Sequence, residues 1–136
     1  TRPAKELGYL ERDGQRYFNR FPCDPGLAAE AIDLLSATAL TKSISAVHRG
    51  PFITVQECSG ARRLAEERAA VGDSAICENM EGAAAAHICL MYGVPFAEVR
   101  GISNLAVDRD RESWDLPAAT DVAQRAAIHL ISEFDR

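Results

Sequence analysis

The chain of 136 residues has the length of one domain, and its 47% hydrophobic content supplies enough apolar mass for a core. Its formal net charge is −5, with acids and bases interleaved, which argues against a nucleic-acid partner held by bulk charge. No apolar run approaches the length of a bilayer span, so no membrane partner is expected.

In chain order, Leu7 to Phe21 alternates aromatic and charged residues around Asp13-Gly14, a favoured two-residue hairpin turn. Asp24 then caps a helix with Pro25 at its first position, and Leu27, Ala31, Leu34, Leu35 and Thr38 fall on one face of a run to about Ala39. Ser43 to His48 alternates as a strand does, Gly50-Pro51 breaks it, and Phe52 to Val55 reads as a further strand. After the loop Gln56 to Gly60, with Ser59 as its expected cap, Arg62 to Ala70 reads as a helix. After residue 104, a polar loop from Val107 to Ser113 leads to Asp115. This acid caps a final helix from about Leu116 to Phe134, with Val122, Ala126, His129 or Leu130, and Phe134 at helical spacing. Cys23, Cys58, Cys77 and Cys89 have no metal-ligand spacing and read as four buried thiols of a reducing cytoplasm. His48, His87 and His129 show neither metal nor triad spacing, so no metal is expected.

The stretch from Ser74 to Asn104 organises the rest. Ser74 to Cys77 is a short apolar strand, and Ala83 to Tyr92 is an unbroken helix. Gly93 and Pro95 stop that helix, and Phe96 to Ile102 is a second strand. Such a connection makes the two strands parallel. Asn79, Met80 and Glu81 then leave the C-terminal end of one strand and Arg100 to Asn104 that of the next. Both groups therefore meet at the edge where open α/β sheets bind ligands.

Each of these residues also has a plain structural reading. Glu81 is an acid in the first turn of a helix, where the dipole favours it. Met80 fills core gaps, and Asn104 is a turn residue. Glu78 is solvated, and Arg100 is either an ion partner of Glu81 or a site residue. Arg109, Asp110, Arg111 and Trp114 form a charged surface loop.

Met80-Glu81-Gly82-Ala83-Ala84, followed by Gly93-Val94-Pro95-Phe96 and Arg100-Gly101-Ile102-Ser103-Asn104, resembles the purine nucleosidase and nucleoside phosphorylase superfamily. Asn104 and Arg109-Asp110-Arg111-x-x-Trp114 resemble its futalosine-hydrolysing branch, which serves menaquinone synthesis. The resemblance implies an α/β, three-layer fold with a central mixed sheet flanked by helices, of which this chain would carry the C-terminal portion as a single domain lacking its N-terminal half. It further implies a purine nucleoside substrate, no cofactor, a homo-oligomer, and hydrolysis of an N-glycosidic bond with release of hypoxanthine. An adenine-releasing nucleosidase, a phosphorylase and a non-catalytic nucleoside-binding fragment are the competing readings.

Residue by residue, the resemblance gives Glu81 to the ribose hydroxyls and Met80 to the sugar face. It gives Asn104, oriented by Ser103, to the N7 and O6 edge of the purine. Cys58 and Ser59 fall on the loop that lines the base, and Asn79 and Arg100 stand at the same edge. Arg109 or Arg111 would read a substrate carboxylate. The chemistry suits these types. A carboxylate accepts two O–H donors and stabilises the oxocarbenium-like sugar formed as the bond breaks, and a guanidinium matches a carboxylate bidentately. The water-activating carboxylate would lie in the N-terminal half.

Overall fold

The computed structural model describes residues 9–37, 46–108 and 110–134. Strands β1 (Leu10–Arg12) and β2 (Gln15–Tyr17) form an antiparallel hairpin in which Leu10 faces Tyr17. The turn residues Asp13 and Gly14 both have positive φ, 53° and 74°, the left-handed pair that an Asp-Gly turn supplies. Helix α1 (Pro25–Ala37) starts where Asp24 accepts from the Leu27 N–H at 2.8 Å. The expected strand at Ser43 to His48 lies partly outside the described residues, and Ala46 to His48 are irregular. Thr38, expected on the inner face of α1, also lies outside them.

Strand β3 (Phe52–Thr54), helix α2 (Arg62–Val71) and strand β4 (Cys77–Asn79) follow, and the two strands pair in parallel with Phe52 opposite Cys77 and Thr54 opposite Asn79. Helix α3 (Gly82–Tyr92) ends at Gly93 in the left-handed conformation, φ 72°. The Gly93 and Val94 N–H groups return to the last carbonyls of the helix, as a glycine stop allows. Arg12 of the hairpin donates to the Leu90 carbonyl at 2.7 Å, placing a cation at the negative end of α3. Helix α4 (Leu116–Phe134) is capped by Asp115, which accepts from the Ala118 N–H at 3.0 Å. The described chain is thus α/β, with a two-stranded parallel sheet and a separate hairpin.

The parallel unit sits one element earlier than the sequence pattern suggests. It is β3-α2-β4, not the pair 74–77 and 96–102. The first strand of the expected pair begins only at Cys77, because Asp73 and Ser74 adopt positive φ, 57° and 63°, and turn the chain just before it. Phe96 to Ile102 forms no strand. The Phe96 carbonyl accepts from Asp24 N at 2.7 Å, so α1 takes a bond that a sheet neighbour would use. Val99 and Ile102 are exposed. An apolar run becomes a parallel strand when both its faces are covered, and here no layer covers that face among the described residues.

The core lies between α1 and α4: Ala31 and Leu35 meet Ala126 and Leu130, with Leu34 and Val47 packed against them. Small residues at these crossings let the two helices approach closely. On the hairpin side of α3, Phe21 stacks on His87 with centroids 4.9 Å apart.

Candidate functional site at the strand ends

The C-terminal ends of β3 and β4 meet the start of α3, and the sequence there is built to join them. The Asn79 carboxamide oxygen accepts from Thr54 Oγ1 at 2.7 Å and from the Gly82 N–H at 2.8 Å. Thr54 Oγ1 in turn accepts from the Ala83 N–H at 2.9 Å. The Ala84 and Ala85 N–H groups return to the Glu81 carbonyl. All four opening donors of α3 are therefore satisfied by backbone and by two neutral side chains. Asn79 is only 6% exposed, so its engaged oxygen avoids the cost of a buried unpaired acceptor.

Glu81 stands in the capping position of α3 and caps nothing: its side chain makes no bond to the helix start. The carboxylate is 75% exposed, and among the described residues its ion partner is Arg100, at 3.8 Å. Arg100 pairs more closely with Glu98, at 2.5 Å. Both readings of Arg100 thus have a physical basis, since it lies beside Glu81 while being held by another acid. Met80 is half exposed on the same edge.

The second group of candidates lies on the stretch after residue 100. Ser103 Oγ donates to Asn104 Oδ1 at 2.7 Å, and Asn104 Nδ2 donates to the Leu105 carbonyl at 3.0 Å. The Ser103 carbonyl accepts from Asp115 N at 2.9 Å, which anchors this turn to the start of α4. Close approach here requires a glycine: a Cβ on Gly101 would run into the Ala119 carbonyl. Arg111 opens a short 3-10 turn, Arg111–Ser113, held by Asp110, and its guanidinium has no ion pair among the described residues. Arg109 lies outside the described residues.

Cys58 is exposed and Ser59 is buried on the loop leaving β3. Ser59 does not cap α2; the residue before that helix is Ala61, with no side-chain cap. Two residues separate Ser59 from the first turn, and its hydroxyl goes elsewhere. It donates to Glu78 Oε1 at 2.5 Å and accepts from Arg68 Nη1 at 2.8 Å. Glu78 is accordingly not solvated; its side chain is 15% exposed. The Arg62 N–H donates to Asp108 Oδ1 at 3.2 Å, tying the far end of this loop to the stretch after Asn104.

Cys23 and Cys58 are exposed and Cys77 and Cys89 only partly covered, so the four thiols are not buried as the sequence suggested, because the loops that carry the first two lie at the surface. Two thiols near the strands are perturbed. Burial pushes the Cys77 thiol up, Arg100 pulls against that rise, and Glu98 and Glu78 add to it. Burial likewise raises Cys23, opposed by a backbone hydrogen bond at Glu98. Among the described residues no group of three or more His, Cys, Asp or Glu is arranged to hold a metal ion, and no helix is long and apolar enough to cross a membrane. A hollow of about 200 Å³ between α2 and the strand pair is lined by Ile53, Ala65, Ala69, Ala75 and Cys77 and includes neither Glu81 nor Asn104. It is a packing gap under the helix.

Sequence reasoning gave Glu78 only a solvated reading and did not single out Thr54 or Arg68. Glu78 carried no clear signal, because it follows the apolar run Ser74 to Cys77 and precedes a second polar residue, Asn79. Thr54 carried none, because a threonine in a strand is ordinary.

The family model described as the phosphorylase superfamily matches residues 3–135. The chain belongs to the phosphorylase superfamily. A futalosine hydrolase of Thermus thermophilus is 40% identical over 134 residues, covering 96% of this chain and 51% of the relative. A futalosine hydrolase of Acidothermus cellulolyticus is 34% identical over 70 residues, covering 52% of this chain and 29% of that protein. The chain therefore spans about half the length of the Thermus relative. No solved structure matches it. The superfamily membership agrees with the motif pair at Met80-Glu81 and Arg100 to Asn104. In this member the two motifs are carried by a strand-to-helix junction and by an irregular segment.

Proposed function

We propose that this member of the phosphorylase superfamily is the purine-site half of a nucleosidase, a hydrolase of N-glycosyl compounds, that cleaves futalosine to hypoxanthine and a sugar. The observation that carries the reading is the Glu81 carboxylate. It stands at the strand ends beside Arg100, with α3 already capped by Asn79 and Thr54. An acid not spent on its own helix is available to a ligand. In this reading Glu81 accepts the ribose hydroxyls, and its charge gains value as the sugar becomes cationic. Met80 lies on the sugar face, Asn79 Nδ2 makes no hydrogen bond among the described residues, and Arg100 stands beside Glu81. Ser103 fixes the Asn104 carboxamide oxygen, so an Nδ2 hydrogen beyond the one given to Leu105 can donate to the N7 and O6 edge of the leaving purine. Cys58 and Ser59 border the base, and Arg111 or Arg109 meets the aryl carboxylate of futalosine.

The named relatives support this substrate. A place in menaquinone synthesis, a homo-oligomer and a cytoplasmic setting belong to the same proposal. Exposed Ile88 and Met91 on α3 and Ile128 and Ile131 on α4 suit self-association, and four free cysteines suit a reducing compartment. The superfamily description favours one rival, a phosphorylase with phosphate in place of water. The test is product analysis of the intact protein on futalosine with and without phosphate. Free hypoxanthine and a free sugar, at a rate indifferent to phosphate, are expected. A phosphorylated sugar formed only with phosphate, or no cleavage at all, contradicts the proposal.

A further inference from the structure

We infer that Glu78 and Arg68 are positioning residues that lock Ser59, and through it the loop 56–60, against the strand edge where the purine is read. The role of the loop rests on the nucleosidase reading, whereas the lock rests on geometry alone. Glu78 lies mid-strand in β4, opposite Ile53, and its two oxygens divide the work. Oε2 accepts from the Ser59 N–H at 3.0 Å and Oε1 accepts from the Ser59 hydroxyl at 2.5 Å. Arg68 reaches from the last turn of α2. Its Nη1 donates to Ser59 Oγ at 2.8 Å and to the Glu57 carbonyl at 2.9 Å, and it lies 3.9 Å from Glu78 Oε1. The Ser59 hydroxyl has a single hydrogen. That hydrogen goes to the acid, and a lone pair takes the guanidinium.

A strand, a helix and a loop thus converge on one serine that is 9% exposed. The charges themselves are largely out of water, with side-chain exposures of 20% for Arg68 and 15% for Glu78. Hydrogen bonds with one ionised partner removed from solvent, such as those of Glu78 and Arg68 to Ser59, are stronger than neutral ones and than exposed surface pairs. The contrast with the same helix is plain. Arg63 pairs with Glu67 one turn apart within α2, and both are well exposed. A solvent-facing ion pair would decorate α2; the Arg68 pair instead fixes a loop that ends in Gly60. Such a loop has much backbone freedom to lose. If it were loose, the substrate would have to order it on binding. That cost falls equally on the ground state and the transition state, so it appears in KM and not in kcat.

The test uses the intact protein and two readouts. Amide hydrogen exchange over residues 56–60 reads the lock without substrate, and steady-state kinetics on futalosine read its use. Glu78→Gln keeps shape but leaves one Ser59 donor facing an amide nitrogen. It should speed exchange at Ser59 and raise KM about tenfold, with kcat within about twofold. Arg68→Met should do the same and Arg68→Lys should recover part of the loss, while Arg63→Ala should move neither readout. Unchanged exchange in both Glu78→Gln and Arg68→Met overturns the lock. Faster exchange with an unchanged KM, or a fall in kcat alone, overturns its service to the base. A wild type that cleaves no purine nucleoside removes the nucleosidase reading and the role of the loop with it. That failure is distinct from failure of the lock, because exchange needs no substrate.

Discussion

The junction of β3, β4 and α3 and the stretch from Phe96 to Asn104 each carry half of the candidate site, and they are held by different means. At the junction, ladder pairing and neutral side-chain caps fix the backbone, with Thr54 and Asn79 bonded across the strand pair at 2.7 Å. The later stretch has no ladder. It is pinned at points: Phe96 by Asp24, Ser103 by Asp115, and Gly101 by its contact with Ala119. The difference separates structural from chemical roles. Where the backbone is already satisfied, an exposed acid such as Glu81 is free for chemistry. Where it is pinned at points, the side chains of Ser103 and Asn104 organise each other.

That contrast can be broken most forcefully at Glu81. In the intact protein, Glu81→Gln should lower kcat by about 10²-fold or more, the scale of one preorganised electrostatic group, with little change in KM. Its melting temperature should stay near that of the wild type, because the side chain caps nothing. A lowered melting point with normal kcat would make it a helix-end residue.

Arg111→Ala comes next. Loss of a charge-assisted bond worth about 1.5–3 kcal/mol should weaken kcat/KM on futalosine by one or two decades and leave inosine, which lacks the aryl acid, little changed. Arg109→Ala provides the same comparison. Equal losses on both substrates for both variants would take the carboxylate away from this loop.

Asn79→Ala sharpens the structural side. It removes an acceptor shared by Thr54 and Gly82 and should cost about 1–3 kcal/mol of stability, read by denaturant unfolding. Asn79→Asp, which keeps the acceptor, should cost less. A neutral Asn79→Ala would mean that the start of α3 holds without it.

The smallest effect concerns pH. Cys23 and Cys77 have thiols raised above 9.0 in the fold. The unfolded chain therefore loses these protons first as pH climbs. Their contribution is intact below pH 9.0 and is lost as pH rises through the folded values. Stability should fall above that point, and less steeply in Cys77→Ser. A stability curve flat through that range would contradict the burial of these thiols.

Much of this architecture was legible in local chemistry. Asp13-Gly14, Asp24-Pro25, Gly93 and Asp115 each act at a chain reversal or helix end where backbone stereochemistry or an orphan N–H leaves few alternatives. The pairing of β4 was not legible, because a short apolar run does not say which neighbour will cover it. Residues 96–102 have the composition of a strand and lack the covered faces of one. The site shows the same division. The motif at Met80-Glu81 falls at the strand-end edge, but the bonds of Thr54 and Glu78 there reach residues 19 to 29 positions away, as those of Ser59 to Glu78 and Thr54 to Ala83 show. No local pattern encodes such partners.

The central claim is that this edge grips a 6-oxopurine leaving group through Asn104, and kcat/KM on 6-oxo and 6-amino futalosine tests it most directly. Hypoxanthine offers acceptors at both N7 and O6, to which an amide can donate and an ionised Asp cannot. A site built on such bonds rejects the wrong base because buried polar groups go unpaired. The wild type should prefer the 6-oxo substrate, and Asn104→Asp should shift the ratio toward the 6-amino form by about tenfold or more. A ratio unchanged by Asn104→Asp, or a wild type that prefers the 6-amino substrate, would contradict the account.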